Sequence, residues 1–535
     1  MLLSSSSNKS SLENGAGPGI WTWPEKGGAR VSDLELDEAR GLFSLEHVNL
    51  RMSWESLVGV HQSGRTLCFV GYEACAPLSF FANLLGAKPE PASGQSTKNR
   101  TLHRKEILLV AENENLATRW RTATLAALGR GGPRENLPLL VLINPHAGAG
   151  SAQTMWRNGP MSIICADAGH NVKVVVTDRA NHAFELVRSH EDLCAAYKGI
   201  VTVSGDGLVY EVLQGVMQRA DWARCMQTLT FGVLPGGSGN GLAKSLNDEA
   251  SLAHCAESSA FLIAKGNAEL LDVAAVDIYN ADHPSQGMHQ KVRRIYSFLS
   301  LEWAMIADID IGSEYMRSLG ALRFQIEGVK RAIFTRKYSG RISYLPCSDD
   351  ESMSARTPKD LSDHEQAAGP SYWTEHADLI DDLAAESPHL NLLPEPGAPL
   401  PSHWKTAEGK FWCMWNCNVP WMTGTDLVAK DSTVADGLIQ LNFLRDESPH
   451  GKMSRWKFVV FLLGLETGDH PSYCEMAPTQ AYRLEPLPGL DGRNRKGIIA
   501  IDGEEIEYSA LQMQNMRGFM RVYSHAVSRS RLSCS

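Results

Sequence analysis

The 535-residue chain is 43% hydrophobic and 21% charged, an ordinary globular composition spread over more length than one core needs, so two or three domains are expected. Its net charge of −10 resides in one stretch: residues 347–402 hold 12 Asp and Glu against Arg356 and Lys359, and the remainder is neutral. With no basic surplus to neutralise phosphates, nucleic acid is not expected as a partner. No apolar run reaches membrane-spanning length, the best being Phe458 to Leu465. Leu2-Leu3 followed by serines lacks the apolar region of a signal peptide. The 11 cysteines are scattered and fit a reduced, cytosolic compartment. Cys413 and Cys417 with His403 have the makings of a zinc site, but two core cysteines in an aromatic strand is the reading preferred here.

Residues 1–40 read as a disordered tail, Ser/Asn/Gly-rich at its start. Residues 41–130 read as a small accessory β-rich unit with strands near Leu42–Met52, Arg65–Gly71 and Lys105–Val110. A helix from Leu116 to Leu128 carrying Trp120 closes it, an order faintly like a pleckstrin-homology fold. From 136 to 272 strand and helix patterns alternate. Leu139–Ile143 ends in Asn144-Pro-His146-Ala-Gly148-Ala-Gly150. Asn171–Thr177 runs to Asn181 before a helix from Ala183 to Ser189, which Asn181 would cap. Ile200–Val203 ends in Ser204-Gly205-Asp206-Gly207, and Thr228–Leu234 in Pro235-Gly236-Gly237-Ser238-Gly239-Asn240.

Repeated strand, Gly-rich turn and helix units imply a doubly wound α/β domain whose strand C-termini face one crevice. Glycines there let the backbone turn and approach a ligand, and helix N-termini offer N–H groups to phosphate, so a nucleotide is expected. Asp206, at the start of a helix, is either a cap or a catalytic carboxylate. Beyond Leu271-Asp272 the segments alternate as β-strands: Val273–Tyr279, Arg294–Ser300, Arg341–Pro346, Lys410–Cys417, Gly437–Phe443, Thr479–Glu485 and Gly497–Ile501. Helical pieces fall at Glu314–Leu319, Gly328–Lys337 and Ser454–Leu463. Many strands without crossover helices predict a mostly antiparallel β-sandwich over 273–525. The acidic, Pro-rich insertion 347–402 reads as a disordered surface loop apart from a helical turn at Ala377–Ala385, and residues 526–535 as a tail.

Asn144-Pro145 with its glycines, Ser-Gly-Asp-Gly (204–207) and Pro-Gly-Gly-Ser-Gly-Asn (235–240) resemble the catalytic domain of the diacylglycerol and sphingosine lipid kinases. The run Glu302-Trp-Ala-Met-Ile-Ala-Asp308-Ile-Asp310 through Arg317 to Arg323-Phe324 is similar to a sphingosine kinase signature. The resemblance covers about 136–345 and 403–525. It implies an α/β ATP-binding domain followed by a β-sandwich lipid-substrate domain, in an enzyme that phosphorylates a sphingoid base.

The roles implied by the resemblance are these. Asp206 is the general base. Asn144, His146, Gly148, Gly150, Thr177, Ser204, Gly205, Gly207, Gly236, Gly237, Ser238, Gly239 and Asn240 bind ATP, with Arg317 and Arg323 on its phosphates. Asp502, Gly503 and Glu504, in the turn after Gly497–Ile501, return to the Mg²⁺–ATP site, and Asp502 is the residue that could touch the metal. Asp310 holds the sphingoid amine, with Ser300 nearby. Ile306, Ile309, Phe324, Leu462, Leu465 and His470 enclose the lipid.

The first glycine loop departs from the family pattern, with Ala149 and Ser151 where lysines usually stand, so positive charge must come from elsewhere. A carboxylate among Met305, Ile306, Ile309 and Ile311 is costly unless paired, whether with a substrate amine or with an arginine such as Arg317. Phosphorylation of diacylglycerol or ceramide is the near alternative, against which Asp310 speaks because neither lipid carries an amine. A catalytically silent scaffold, binding proteins at the acidic insertion, is the alternative from another class. Ile326, Val329, Ile333 and Phe334, interleaved with Lys330, Arg331, Arg336 and Lys337, suit either a core helix or a peripheral contact with a membrane.

Overall fold

The computed structural model describes residues 35–37, 42–44, 51–53, 56–75, 101–110, 113–279, 291–347, 371–487 and 497–524, apart from a few short gaps within these spans. Fourteen strands form one connected sheet. Four are parallel: β1 (Leu139–Ile143), β2 (Val172–Val176), β3 (Gly199–Ser204) and β4 (Thr230–Pro235), in the order β4-β3-β1-β2. β1 and β3 are apolar and wholly or largely buried, as expected of strands covered on both faces. The helices His182–Ser189, Asp206–Met217 and Gly241–Glu249 each follow a strand and pack their apolar sides on the sheet. All four strands end at one edge, which sets their following turns side by side.

Ten further strands complete the sheet: β5 (Ala268–Tyr279), β6 (Lys291–Ser297), β7 (Ser300–Ala304), β8 (Tyr338–Pro346), β9 (Lys405–Cys417), β10 (Ile439–Arg445), β11 (Glu475–Pro486), β12 (Ile499–Ile501), β13 (Glu504–Ile506) and β14 (Leu511–Tyr523). They pair antiparallel with one another, β9 turning from β8 to β10 across a register shift at Phe411/Cys413. Two separately sheeted halves were expected. Instead β14 pairs antiparallel with β5 and β11 and runs parallel to β4, at Phe231 opposite Val522, so the two sets of strands are joined. One face of the antiparallel strands buries Trp303, Tyr338, Phe411, Phe443 and Tyr482. On the other face of β9, Trp412 and Trp415 pack under the helices Met305–Gly312 and Arg455–Thr467. Cys413 and Cys417 are fully buried there, their thiols pushed up by burial, which is a core setting.

Before β1, the strands Leu57–Ser63, Thr66–Cys75 and Thr101–Val110 form an antiparallel sheet closed by the helix Glu114–Ala127. This unit shares its core with the parallel strands through Val58, Val70 and Tyr72. Arg104 makes a two-pronged bond to Asp167, 2.6 Å on each side, and the Tyr72 hydroxyl donates to the same carboxylate. Strands expected near 42–52 fall partly outside the described residues. The insertion differs from its expectation over 371–402. Tyr372–Glu375 is helical, Trp373 stacks on Phe519 with ring centroids 5.1 Å apart, and Trp222 Nε1 donates to Ala385 O. Two aromatic residues and Leu379 give this half enough apolar surface to dock, which a charge count averaged over the whole insertion conceals.

Candidate active site

The turns at the C-terminal ends of β1 to β4 and the start of β7 surround a cavity of about 550 Å³. Asn144 Oδ1 accepts from His146 N at 3.0 Å, which shapes the first turn. The third and fourth turns touch: a Cβ on Gly237 would lie 2.3 Å from Gly205 Cα, so only glycine fits. Asn240 sits in the left-handed region (φ 63°) and closes the fourth turn on itself, accepting from Gly237 N and donating to Gly237 O. Thr177 is buried, its hydroxyl donating to Ile143 O. Asn181 precedes its helix with φ 62° and makes no side-chain cap, contrary to expectation; His182 instead accepts from Asp178 N.

Asp206 does not cap its own helix. It faces the cavity, and its two oxygens accept from Gly241 N (2.9 Å) and Leu242 N (3.4 Å), capping the helix Gly241–Glu249. Burial raises its carboxyl, opposed by those backbone donors. The side chain is thus held in place by a helix N-terminus that also favours its charged form.

The strand β7 supplies the facing wall. Alternation sends Leu301 and Trp303 into the sheet core and Ser300 and Glu302 toward the cavity. Ser300 Oγ donates to Glu302 at 3.3 Å. Burial, with Asp310 and Asp502 nearby, pushes the Glu302 carboxyl well above the usual carboxylate range. Asp310 pairs with Arg323 Nη2 at 3.3 Å. Asp502, with φ 50°, accepts from Ser297 Oγ, Leu299 N and Ser300 N on one oxygen and from Phe298 N on the other. Burial pushes it up to about 7 against these four donors. It ties β12 to the turn before β7 while still lining the cavity. Glu504 Oε1 lies 3.2 Å from where a Gly207 side chain would begin. Beyond this polar end the cavity is lined by Ile306, Ile309, Val459, Leu462 and Leu465, an apolar arm between the helices Leu322–Ile333 and Arg455–Thr467.

Most residues expected at the site therefore converge. His470 does not: its Nε2 bonds Val428 O, and the ring packs against Trp415 behind the cavity wall. Gly150, Gly236 and Asn240 shape turns without lining the cavity; the side chains of Arg317 and Phe324 lie outside the described residues. Sequence reasoning missed Arg179, Glu211, Glu302, Glu314, Thr423 and Asp426, all of which line it. Only Glu302 had a usable signal, its two-residue spacing from Ser300. Eight carboxylates against two guanidinium groups line the cavity among the described residues, so its field favours cations.

Residues 138–276 match the family model of the diacylglycerol kinase catalytic domain. Over 383 residues the chain is 32% identical to "Sphingosine kinase 1" of Arabidopsis thaliana, covering 71% of this chain and 70% of that protein. Over 402 residues it is 32% identical to "Sphingosine kinase 1" of Homo sapiens, covering 72% of this chain and 91% of the human protein. The chain belongs to the sphingosine kinase family. A putative diacylglycerol kinase from Bacillus anthracis overlays with a TM-score of 0.45 at 13% identity, over 72% of this chain and 97% of that one, too loosely to bear on the site. Membership makes the chain an ATP-dependent lipid kinase. Among the described residues, no helix is long and apolar enough to cross a membrane.

Proposed function

We propose that the chain transfers the γ-phosphoryl group of Mg²⁺–ATP to the primary hydroxyl of sphingosine or a related sphingoid base. The observation that carries this reading is an acidic polar chamber, flanked by glycine turns, that opens into an apolar arm. The glycine turns cradle the phosphates, and the backbone contact of Gly205 with Gly237 keeps that cradle tight. Asp206 accepts the hydroxyl proton as the nucleophile attacks; its capped geometry fixes the carboxylate before substrate arrives. Asp310 and the acidic wall receive the ammonium group, and the arm receives the chain. Arg179, beside Thr177, and Arg323 give the nucleotide side the cations that the first glycine loop lacks.

Asp502 and Glu504 are hard oxygen donors beside the cradle and fit Mg²⁺, Asp502 through its less occupied oxygen. Held by these two residues, the ion would supply positive charge against the phosphates of the nucleotide. In this reading the parallel strands serve the nucleotide and the antiparallel strands the lipid. The enzyme works in the cytoplasm, touching a membrane peripherally where Ile326, Val329, Trp456 and Leu463 stand exposed around the arm. Radiolabelled ATP offered with sphingosine, phytosphingosine, ceramide and diacylglycerol tests the substrate. Labelling of the two amine-bearing bases is expected, and equal labelling of ceramide would refute the role of the acidic chamber.

A further inference from the structure

Two free thiols meet away from the cavity, near the N-terminal ends of the parallel strands. Cys194 belongs to the helix Leu193–Ala196, which leads into β3, and Cys225 to the helix Trp222–Thr228, which leads into β4. Their sulfurs lie 2.6 Å apart across 31 residues of chain, and both side chains are buried in the core that also holds Leu193, Met226 and Leu229. A disulfide bond is about 2.05 Å long, so closing this pair asks for a movement of only about half an ångström. The contact also sorts the protons. Cys225 holds the Cys194 thiol below its usual range, against burial and with help from Thr228, while Cys225 itself is pushed up by Cys194 and by burial. Cys194 is thus the readier thiolate and Cys225 keeps its proton. Asp221 lies close enough to make a three-ligand metal group of the pair. The geometry speaks against that use: a tetrahedral zinc with bonds of about 2.3 Å keeps its sulfurs about 3.8 Å apart. Both Asp221 oxygens, moreover, are taken by Arg219, at 2.6 and 3.0 Å.

We propose that Cys194 and Cys225 are a redox modification site, oxidised by hydrogen peroxide to a disulfide that clamps these two helices together. The Cys194 thiolate attacks one peroxide oxygen, the O–O bond breaks, and hydroxide leaves a sulfenic acid behind. The Cys225 sulfur then attacks the sulfenic sulfur, its proton goes to the departing oxygen, and water leaves as the S–S bond forms. The two sulfurs give up two electrons and the peroxide takes them. In a reducing compartment the pair rests as thiols and closes only when peroxide rises. The helix Trp222–Thr228 is also the seat of the folded half of the acidic insertion, since Trp222 donates to Ala385 O and stacks on Phe519. The bridge therefore stiffens the ground on which residues 371–402 dock. None of this depends on which lipid the cavity takes.

The test treats the folded full chain with hydrogen peroxide, blocks the remaining thiols with iodoacetamide, and maps the digested protein by mass spectrometry. The expected product is one cross-linked peptide pair joining Cys194 to Cys225, two hydrogens lighter than its separate halves and split by dithiothreitol. Closing a loop of this length should also raise the melting temperature of the oxidised protein by about a few degrees, and dithiothreitol should reverse the rise. Cys194→Ala and Cys225→Ala should each lose both the cross-link and the reversible shift; if one variant folds poorly, the other reports. Should Cys68 and Cys255, which are less buried, become oxidised while Cys194 and Cys225 are still recovered as separate alkylated peptides, the proposal is overturned. Zinc found at one ion per chain in the wild type, and absent from both alanine variants, would overturn it as well and make the pair a metal site.

Discussion

Replacing Asp206 by Asn separates the two tasks that this side chain performs. Its oxygens accept from Gly241 N and Leu242 N. The amide has one oxygen for these two donors, so one N–H loses its acceptor and the negative charge at the helix N-terminus disappears. Loss of a cap costs about 1 kcal/mol and loss of the charge roughly 0.3–1 kcal/mol, so stability should fall by about 1–2 kcal/mol. Against a typical stability of about 5–15 kcal/mol the protein stays folded. Loss of a general base costs about 10²- to 10⁴-fold in rate, or roughly 3–5 kcal/mol of barrier, well beyond the structural effect. The assay is kcat on detergent-dispersed sphingosine at saturating ATP, with the ATP dissociation constant and a thermal melt measured alongside. The expected outcome is a kcat lowered at least 100-fold, near-normal ATP affinity and a melt lowered by a few degrees. A kcat within tenfold of wild type would make Asp206 a helix cap alone and refute the assignment.

Asp310→Asn should raise KM for sphingosine about 10- to 100-fold and KM for ATP little, since a charged hydrogen bond to the amine is lost. Equal damage to both would mean that the pair with Arg323 is structural. His170, driven down to about 3 by burial with Arg130 and Lys198 close by, is neutral when folded. Its folded value lies below the unfolded 6.5, so the stability it lends is present above pH 6.5 and is lost as pH falls toward 3. His170→Gln should therefore flatten the fall in melting temperature between pH 7 and 5, and an unchanged slope would point to other groups. Ile326→Asp combined with Trp456→Ala should reduce sedimentation with phosphatidylserine vesicles and activity on vesicle-borne sphingosine, while activity on detergent-dispersed substrate survives. Loss of both activities with a normal melt would place these side chains in the site rather than at a membrane.

The parallel half was legible because its signals are local. Apolar runs such as Leu139–Ile143 end at glycines, and the structure places that strand over the same residues. Most antiparallel strands were legible in place but not in partnership, since nothing local says that β9 leaves β8 for β10 at Phe411. The strand β14 was missed. Leu511–Tyr523 reads LQMQNMRGFMRVY, with glutamines, asparagine and a Gly518 at φ 61° where a buried strand would show Val and Ile. Its polar side chains are buried because they bond inward, Asn515 to Asp272 and Gln512 to Tyr279, a fact visible only in three dimensions. The same holds at the site. Asp206 at its turn was readable, but that it caps a helix beginning 35 residues later was not. Thr423 and Asp426 carried no motif and enter the cavity only because their turn is bonded to Gly239 and Leu465.

The strand β14 also bears on how the protein comes into being. It fills the slot between β4, β5 and β11, all synthesised before it, β4 and β5 by more than 200 residues. A nascent chain emerging at about 5–20 residues per second therefore carries its nucleotide-side and lipid-side strands with open edges until β14 arrives. Such edges pair readily with other chains, so nascent forms of this protein that lack β14 should call on chaperones. A truncation ahead of Leu511 would leave two sets of strands with no shared partner rather than a kinase lacking a tail.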